Sequence, residues 1–316
     1  MTGPRAAGPD ERSGILIVDK PAGITSHDVI ATLRRRLHRR RIGHAGTLDP
    51  FATGVLPVFL GEATKLSAYL VAEDKDYVAV AHLGVRTDTL DVDGQVTGET
   101  ALPPGLDAAT VAALLPRFIG RISQSVPRFS AVQVDGVRLY ARARRGEVME
   151  TPVREVDVQA FGLVAWAPPC ATLTVSCGKG TYVRQLVSDL GDALGVGAHV
   201  AALRRTRVGP FREQEAVPLE RIAGPDDLGA ALLPMELAVG RFLPLVGASA
   251  EAAAALRVGR AVSWPALADR GLAPGARFAV LAEGTLLALA EAGPEAPAPL
   301  RLLRVFLPLP GASPGE

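Results

Sequence analysis

The sequence predicts a mixed α/β (α+β) fold with a second, small β-rich domain at its end. Over roughly the first two hundred residues, short apolar runs typical of strands alternate with apolar residues at helical spacing. From about residue 243 onwards, short apolar runs separated by glycine and proline take over and continue to residue 306. A chain of 316 residues is also long enough to form one large domain and one small one.

The first predicted elements are a buried strand and a basic helix. Residues 14–18 form an aliphatic run, which indicates a strand with both faces buried. We expect a helix next, capped by Thr25 or Ser26, because apolar residues follow at helical spacing: Val29, Ile30, Leu33 and Leu37. The polar face of this helix carries the first residues of the basic run 34–41. Such a run can bind a polyanion, but it is also common on solvated surfaces.

Residues 43–57 predict a shaped loop around one carboxylate. Three glycines and two prolines in this stretch disfavour a helix or a central strand. Asp49 lies in its middle and is followed by Pro50, a pair typical of the first two positions of a type I turn. Taken alone, the stretch is explained by a turn, and a functional role for Asp49 depends on the rest of the chain.

The middle of the chain predicts further elements in order. A turn at 61–65 leads into a helix towards residue 70, residues 77–83 form a strand, and Asp93-Gly94 is typical of a hairpin turn. A calcium loop is excluded there, because threonine stands at both the first and the last position that such a loop would use. A helix is expected from residue 107 to 115, where Pro116 stops it.

Residues 122–153 predict an inserted hairpin and helix rich in arginine. Arg142, Arg144 and Arg145 are candidate RNA-binding residues, because basic residues here are interleaved with aromatic residues, whose faces stack on bases. An ordinary surface hairpin and helix explain this segment about equally well.

The next predicted elements are a strand at 171–176 and a helix capped by Thr181. The glycine-lysine-glycine turn between them lacks the spacing of a phosphate-binding P-loop. Arg184 lies on the first turn of the helix, from which it can reach a loop above. The basic segment 199–207 follows, and beyond Pro210 an Ala- and Leu-rich stretch predicts a helical region.

Composition and charge restrict the function classes. Residues 1–212 carry 26 Lys and Arg against 21 Asp and Glu, whereas residues 213–316 carry 8 against 12, so basic charge is concentrated in the larger domain. The only cysteines, Cys170 and Cys177, have a spacing that fits neither zinc nor a disulfide framework. The apolar stretches are too short to span a membrane, and residues 1–13 form a polar tail without a signal core. We therefore expect a cytoplasmic protein without membrane contact.

Five motifs follow one another along the chain. They are Asp-Lys-Pro at 19–21, Gly-His-Ala-Gly-Thr-Leu-Asp-Pro at 43–50, Gly-Glu-Ala-Thr-Lys at 61–65, Lys-Asp-Tyr at 75–77 and Gly-Lys-Gly-Thr-Tyr-Val-Arg at 178–184. Together they closely resemble the bacterial TruB family of tRNA pseudouridine synthases, over about residues 14 to 212. The resemblance implies the pseudouridine synthase fold, with a central, mainly antiparallel mixed sheet flanked by helices over residues 14–239. It also implies a PUA-like domain over residues 240–310.

The resemblance further implies isomerisation of uridine 55 in the T loop of tRNA to pseudouridine, without a cofactor or a metal. By matching position, Asp49 is the nucleophilic or electrostatic carboxylate, Tyr77 stacks on the target base and Arg184 pairs with Asp49. The implied substrate-binding positions are Lys20, His44, Lys65, Asp91, Tyr182 and Leu203. The implied partner is the T arm of tRNA, bound by a monomer without a protein partner.

The residue types suit this chemistry independently of the resemblance. Uracil must leave C1′, turn and rejoin it through C5, so no atoms or electrons are exchanged overall. An ionised carboxylate can stabilise or trap the electron-poor sugar carbon, and a neighbouring guanidinium favours the ionised form. Two alternatives stay open: a non-catalytic RNA-binding or tRNA-folding protein, and an N-glycoside hydrolase, which needs a second acid to activate water.

Overall fold

A computed structural model describes residues 12–130, 132–134, 136–145, 147, 150–258, 260, 262, 272–293 and 300–306. The strands are, in chain order, β1 (Gly14–Lys20), β2 (Ile42–His44), β3 (Thr53–Leu60), β4 (Lys75–Leu83), β5 (Val85–Thr87), β6 (Val96–Glu99), β7 (Gly120–Ser125), β8 (Gln133–Val134), β9 (Val137–Arg138), β10 (Val153–Ala167), β11 (Cys170–Cys177), β12 (Ala198–Val208), β13 (Phe211–Arg212), β14 (Val217–Pro218), β15 (Leu232–Pro234), β16 (Leu245–Gly247), β17 (Arg277–Ala282), β18 (Thr285–Glu291) and β19 (Arg301–Val305). The helices are α1 (Ser26–Arg36), α2 (Ser67–Val71), α3 (Ala108–Leu114), α4 (Leu139–Arg144), α5 (Val183–Ala193), α6 (Met235–Val239) and α7 (Ala250–Arg257).

One large sheet of eleven strands organises the larger part of the chain. Its main path runs β14-β1-β3-β12-β4-β11-β10-β7, with β2, β13 and β15 paired at its sides. The neighbours along the path are antiparallel except for β1 with β14 and β3 with β12. The prediction of a mixed α/β fold with a mainly antiparallel sheet is therefore confirmed.

Helices cover this sheet because each carries one apolar face. Thr25 caps α1 in a capping box with Asp28, and the buried residues of α1 pack on the side of β1 that carries Leu16 and Val18. The opposite side of β1 joins another buried cluster through Ile15. The expected burial of both faces of this first strand is confirmed. Helix α5 packs its apolar face on β4, β11 and β12.

The small C-terminal sheet has the order β16-β17-β18-β19 and packs against the large one. Ala279, Leu286 and Phe306 share a buried cluster with residues of β1, β3 and α2. The expected short strands after residue 243 are confirmed, whereas α7 was not predicted.

The loop expected over residues 43–57 is shorter than predicted. Residues 43 and 44 belong to β2, and β3, which begins at Thr53, is a central strand. Position 54 requires glycine, because its φ is +103° and a Cβ atom there would collide with the backbone of Arg205 on β12. Pro57 lies opposite Ile17, and its carbonyl oxygen accepts from the Ala45 N–H at 3.1 Å.

Two further predictions are wrong. The stretch after Pro210 is not helical but consists of short strands and 3₁₀ turns, with α6 as one short helix, because prolines and glycines interrupt it repeatedly. Thr181 does not cap α5: Tyr182 is the N-cap residue, and the Thr181 hydroxyl donates to the Gly178 carbonyl oxygen at 3.1 Å. Segment 199–207, which carried no assignment from its sequence, is the central strand β12.

Candidate active site

Asp49 is presented by a tight turn between β2 and β3. The Ala52 N–H donates to the Asp49 carbonyl oxygen at 3.1 Å, which closes the turn and confirms the expected chain reversal. Leu48 and Ala52 are buried on either side, whereas 37% of the Asp49 side chain is exposed. The apolar neighbours therefore hold the turn in the core while the carboxylate remains accessible.

Arg184, on the first turn of α5, joins two carboxylates. Its Nε lies 2.9 Å from Asp49 Oδ2 and its Nη2 lies 3.4 Å from Asp49 Oδ1; the Nε contact is an ion pair without hydrogen-bond alignment. Its Nη1 lies 3.1 Å from Asp91 Oδ2. Further N–H groups donate to the carbonyl oxygens of Thr89 (2.6 Å) and Phe129 (3.0 Å). Because only 3% of Arg184 is exposed, these contacts fix the guanidinium beside Asp49.

Asp91 is the buried carboxylate of this pair of acids. It follows β5 in the connection to β6, where the Thr89 hydroxyl donates to its Oδ1 at 2.5 Å and the Asp93 N–H donates at 3.1 Å. Leu90, between Thr89 and Asp91, has a φ of +64°, which is uncommon outside glycine. This conformation turns the chain back towards Arg184. Burial raises the pKa of Asp91, although Thr89 and Arg184 act against that rise.

Two polar side chains, Lys20 and Ser26, anchor the backbone of the turn. The buried ammonium of Lys20 donates to the Pro50 carbonyl oxygen at 3.1 Å, and its other contacts are the carbonyl oxygens of Pro21 and Ile24. Burial lowers the pKa of Lys20 to about 8. The Ser26 hydroxyl accepts from the Leu48 N–H at 2.9 Å. The backbone on both sides of Asp49 is therefore anchored.

Arg205, on β12, contacts both limbs of the loop that carries Asp49. This side chain is fully buried. Its Nε donates to the Val55 carbonyl oxygen at 2.8 Å, its Nη2 to that of Gly46 at 2.8 Å and its Nη1 to that of Thr47 at 3.5 Å. Burial lowers the pKa of Arg205.

An apolar surface adjoins the turn. Tyr77 on β4 is half-buried and packs, with Phe51, against the cluster that contains Leu48 and Leu203. Burial raises the pKa of the Tyr77 hydroxyl. A cleft of about 530 Å³ opens beside Phe51 and Leu203 and continues along β4 and β12. Such a surface can accept the face of a base.

His44 and Tyr182 lie on the elements that frame the site. His44 is half-buried on β2. Burial lowers the pKa of its imidazole, and the nearby positive charge of Arg205 is the second cause. Tyr182 immediately precedes α5, where its N–H donates to Gln124 Oε1 at 2.8 Å and its carbonyl oxygen accepts from Gln124 Nε2 at 3.1 Å. The edge strand β7 thereby fixes the start of the helix that carries Arg184.

The structure does not bring Lys65 to Asp49. Its Nζ lies 2.5 Å from Glu62 Oε2, donates to the Val305 carbonyl oxygen at 3.1 Å and lies 5.6 Å from the ring centre of Phe306. Lys65 therefore fastens the small sheet to the larger part of the chain.

The arginine-rich segment contacts the site through its first residues. The Phe129 carbonyl oxygen accepts from Arg184, as described above, and α4 follows further along. Arg142 and Arg145 both pair with Glu147, at 2.9 and 2.7 Å. Arg144 belongs to α4, but its side chain lies outside the described residues.

The sequence missed Arg205, Ser26 and Thr89 as site residues. For Arg205 a signal was present, since Arg204 and Arg205 are consecutive in a strand and must point to opposite faces. Arg204 keeps 37% of its side chain exposed, whereas Arg205 is buried. Ser26 and Thr89 act through backbone geometry that only the folded chain reveals.

The described part of the chain holds neither a cluster of metal ligands nor a membrane-spanning helix. No group of three or more His, Cys, Asp or Glu residues is placed there to hold a metal ion. Within the same residues, no helix is long and apolar enough to cross a membrane.

The chain is similar to known proteins over most of its length. Residues 34–183 match the family model "TruB family pseudouridylate synthase (N terminal domain)", and residues 184–240 match "tRNA pseudouridylate synthase B C-terminal domain". The tRNA pseudouridine synthase B of Xanthomonas campestris pv. campestris (strain 8004) is 47% identical over 260 residues, which cover 81% of this chain and 84% of that protein. The protein of the same name from Pseudomonas aeruginosa (strain UCBPP-PA14) is 48% identical over 228 residues, 70% of this chain and 74% of that one.

Solved structures show the same fold. A chain in the structure of an H/ACA RNP bound to a substrate RNA containing 2′-deoxyuridine is similar with a TM-score of 0.72 and 28% identity, over 93% of this chain and 85% of that one. A chain of a Cbf5-Nop10-Gar1 complex is similar with a TM-score of 0.72 and 30% identity, over the same shares of the two chains.

The fold and these relatives define the class of the protein: it is a pseudouridine synthase, an isomerase that acts on uridine in tRNA. Within that class, the chain belongs to the TruB family. The resemblance of its motifs to this family is thereby confirmed.

Proposed function

We propose that this protein isomerises uridine 55 in the T loop of tRNA to pseudouridine, with Asp49 as the carboxylate that acts on C1′ of the target nucleotide. The observation that carries the proposal is the accessible Asp49 carboxylate held 2.9 Å from the buried guanidinium of Arg184. A carboxylate fixed in this way and 37% exposed can meet an electron-poor sugar carbon.

The reaction breaks the bond between N1 and C1′ and forms a bond between C5 and C1′. Asp49 either forms an ester with C1′ or stabilises its positive charge while the uracil turns. The proton on C5 is lost and N1 carries a proton in the product, so the atoms balance without a redox step. Arg184 acts on Asp49 by holding its orientation and its charge.

The target uridine must leave its stack, which costs a few kcal/mol. Tyr77 and Leu203, on the apolar surface beside the turn, offset part of that cost by packing on the extruded base. His44 and Tyr182 line the same site from β2 and from the start of α5. Lys20 and Asp91 support it from within, whereas Lys65, whose ammonium pairs with Glu62, has no part in it.

The RNA backbone is proposed to lie along the arginine-rich segment. Arg142, Arg144 and Arg145 supply positive charge there, and this segment reaches Arg184 through Phe129. Because phosphate contacts set affinity rather than sequence choice, these residues serve to hold the T arm over the pocket.

A tritium-release assay tests the proposal. A T-arm RNA that carries C5-tritiated uridine at position 55 should release tritium to water with the wild type. Asp49→Asn should abolish release while RNA binding remains within about threefold of the wild type, since the amide preserves shape but not charge. Asp157→Asn, which changes an exposed carboxylate on β10, is the matched control and should release tritium normally.

The other two hypotheses give different results in this assay. Free uracil as the product would establish a hydrolase, which Asp91 does not favour, because this second acid is only 5% exposed and is paired with Arg184. RNA binding without tritium release by the wild type would establish a non-catalytic RNA-binding protein. Release by Asp49→Asn at the wild-type rate would remove Asp49 from the mechanism.

A further inference from the structure

Arg205 is a buried charge that no carboxylate neutralises within ion-pair distance among the described residues. Its hydrogen bonds go to the carbonyl oxygens of Gly46, Thr47 and Val55 and to the side chain of Tyr77. Burying a guanidinium costs free energy that hydrogen bonds recover only in part. Stability alone therefore does not account for an arginine here.

The position of the acceptors indicates what the guanidinium does. Val55 lies on β3, after the turn, whereas Gly46 and Thr47 lie before it, and Asp49 is carried between them. A planar guanidinium can donate in several fixed directions at once, which the single nitrogen of lysine cannot do. Arg205 thus ties together the two limbs of the loop that presents the carboxylate.

Two glycines shape the loop around this side chain. Gly46 has a φ of +76°, and a Cβ atom there would lie 3.2 Å from Arg205 Nη1. Gly54 has a φ of +103°, and a Cβ atom there would collide with the Arg205 carbonyl oxygen. Both positions therefore need glycine for their backbone conformation and for the close approach of Arg205.

The same guanidinium lies close to two proposed catalytic side chains. The guanidinium shares a side-chain hydrogen bond with Tyr77, and the negative charge of Asp49 acts on it from nearby. Since Tyr77 and Arg205 stand on the neighbouring strands β4 and β12 and are paired in register, the distance between them is set by the sheet. Arg205 can therefore fix the turn relative to Tyr77 as well as closing the loop.

We propose that Arg205 is a positioning residue of the isomerisation: it holds the two limbs of the catalytic loop so that the Asp49 carboxylate keeps its place relative to Arg184 and Tyr77. The inference rests on the proposed function. It assigns Arg205 no contact with the RNA. A displacement of about 1 Å at a reacting group can lower a rate by about 100-fold. Loss of the Arg205 hydrogen bonds should therefore lower kcat strongly and leave KM nearly unchanged.

The test compares Arg205→Lys and Arg205→Gln with the wild type and with Arg207→Gln. Arg205→Lys keeps the positive charge but loses the several fixed donor directions of the guanidinium. Arg205→Gln keeps a donor but loses the charge. Arg207 stands on the same strand, but it pairs with Asp76, at 2.5 and 2.8 Å, and with the Gly209 carbonyl oxygen. It thus controls for the loss of a guanidinium from β12. Tritium release from the T-arm RNA gives kcat and KM, and each protein is assayed at a temperature at which circular dichroism shows it to be folded.

The expected result is a fall in kcat of about 100-fold for both Arg205 variants, a KM within about threefold of the wild type, and Arg207→Gln close to the wild type in both. A kcat for Arg205→Lys within about threefold of the wild type overturns the inference. So does a raised KM with an unchanged kcat, which would make Arg205 a binding residue, or a failure of both variants to fold at any temperature, which would make it a folding residue. A wild type that releases no tritium overturns the proposed function, and the inference with it.

Discussion

The substitution Asp91→Asn should change the activity of the site much more than the stability of the protein. Asp91 is 5% exposed and lies 3.1 Å from Arg184 Nη1, so its charge is both costly to bury and well paired. Asparagine has the same shape and retains an oxygen acceptor, but it removes the negative charge. The guanidinium then keeps Asp49 as its only carboxylate partner among the described residues.

The two contributions of the Asp91 charge to folding are opposite and similar in size. At 3.1 Å and an effective dielectric constant of about 20, the attraction to Arg184 is about 5 kcal/mol. Removal of a carboxylate from water costs several kcal/mol, and the raised pKa of Asp91 indicates that burial outweighs the attraction. We therefore expect Asp91→Asn to change the free energy of unfolding by about 1 kcal/mol or less at pH 7.

Activity should respond much more strongly than stability. A hydrogen bond to a charged group contributes about 1.5–3 kcal/mol, and this one restricts the orientation of Arg184 beside Asp49. Its loss should lower kcat for tritium release by about 10- to 100-fold. A kcat unchanged by Asp91→Asn, or a loss of more than about 3 kcal/mol of stability, would refute the reasoning.

The raised pKa of Asp91 also predicts a pH dependence of stability. Between the ordinary pKa of an aspartate, about 3.9, and the raised value, the folded protein holds a proton that the unfolded chain has lost. The free energy of unfolding therefore decreases as pH rises through this window. Urea denaturation of the wild type from about pH 4 to 7 should show this decrease, and Asp91→Asn should lack it.

Three further predictions concern the surroundings of the turn. The pKa of Lys20 is about 8, and its ammonium holds the Pro50 carbonyl oxygen, so kcat should fall above about pH 8 in a pH–rate profile; a profile flat to pH 9.5 would contradict this role. Ser26→Ala leaves the buried Leu48 N–H without its hydroxyl partner and should lower the free energy of unfolding in urea by about 1–3 kcal/mol, whereas no change would mean that water replaces the hydroxyl. Glu147→Gln releases Arg142 and Arg145 from their ion pairs and should tighten tRNA binding at low salt and steepen its salt dependence; weaker binding would show that Glu147 is needed to order the segment.

The parts of the fold that were predictable are those with a local signal. The aliphatic run of β1, and the cap residue and helical spacing of α1, identify their elements directly. The central strand β12 was not assigned because it carries four basic residues or histidines among its apolar ones, and their burial depends on partners distant in sequence. Similarly, β3 contains a glycine and a proline, Gly54 and Pro57, which are tolerated only because of the particular strands beside it.

The candidate site shows the same division. Asp49, Tyr77 and Arg184 could be named because they stand in recognisable motifs. The ion pair of Arg184 with Asp91 could not be derived, because it depends on how the connection between β5 and β6 folds back, including a positive φ at Leu90. Lys65 stands in one of the same motifs, yet its ammonium is directed to the small sheet. A motif therefore identifies the site more reliably than it identifies the task of each residue.

The cations around Asp49 form a fixed arrangement of charge. Lys20 and Arg205 lie beneath the turn and donate to carbonyl oxygens, and Arg184 divides its donors between two carboxylates and two carbonyl oxygens. Their N–H groups are thus directed at the protein rather than at incoming RNA. Charges fixed in this way need little reorganisation as positive charge develops at C1′ and disappears again. In the proposed mechanism, the partly exposed carboxylate of Asp49 is the group that meets the substrate, and the buried cations determine its position.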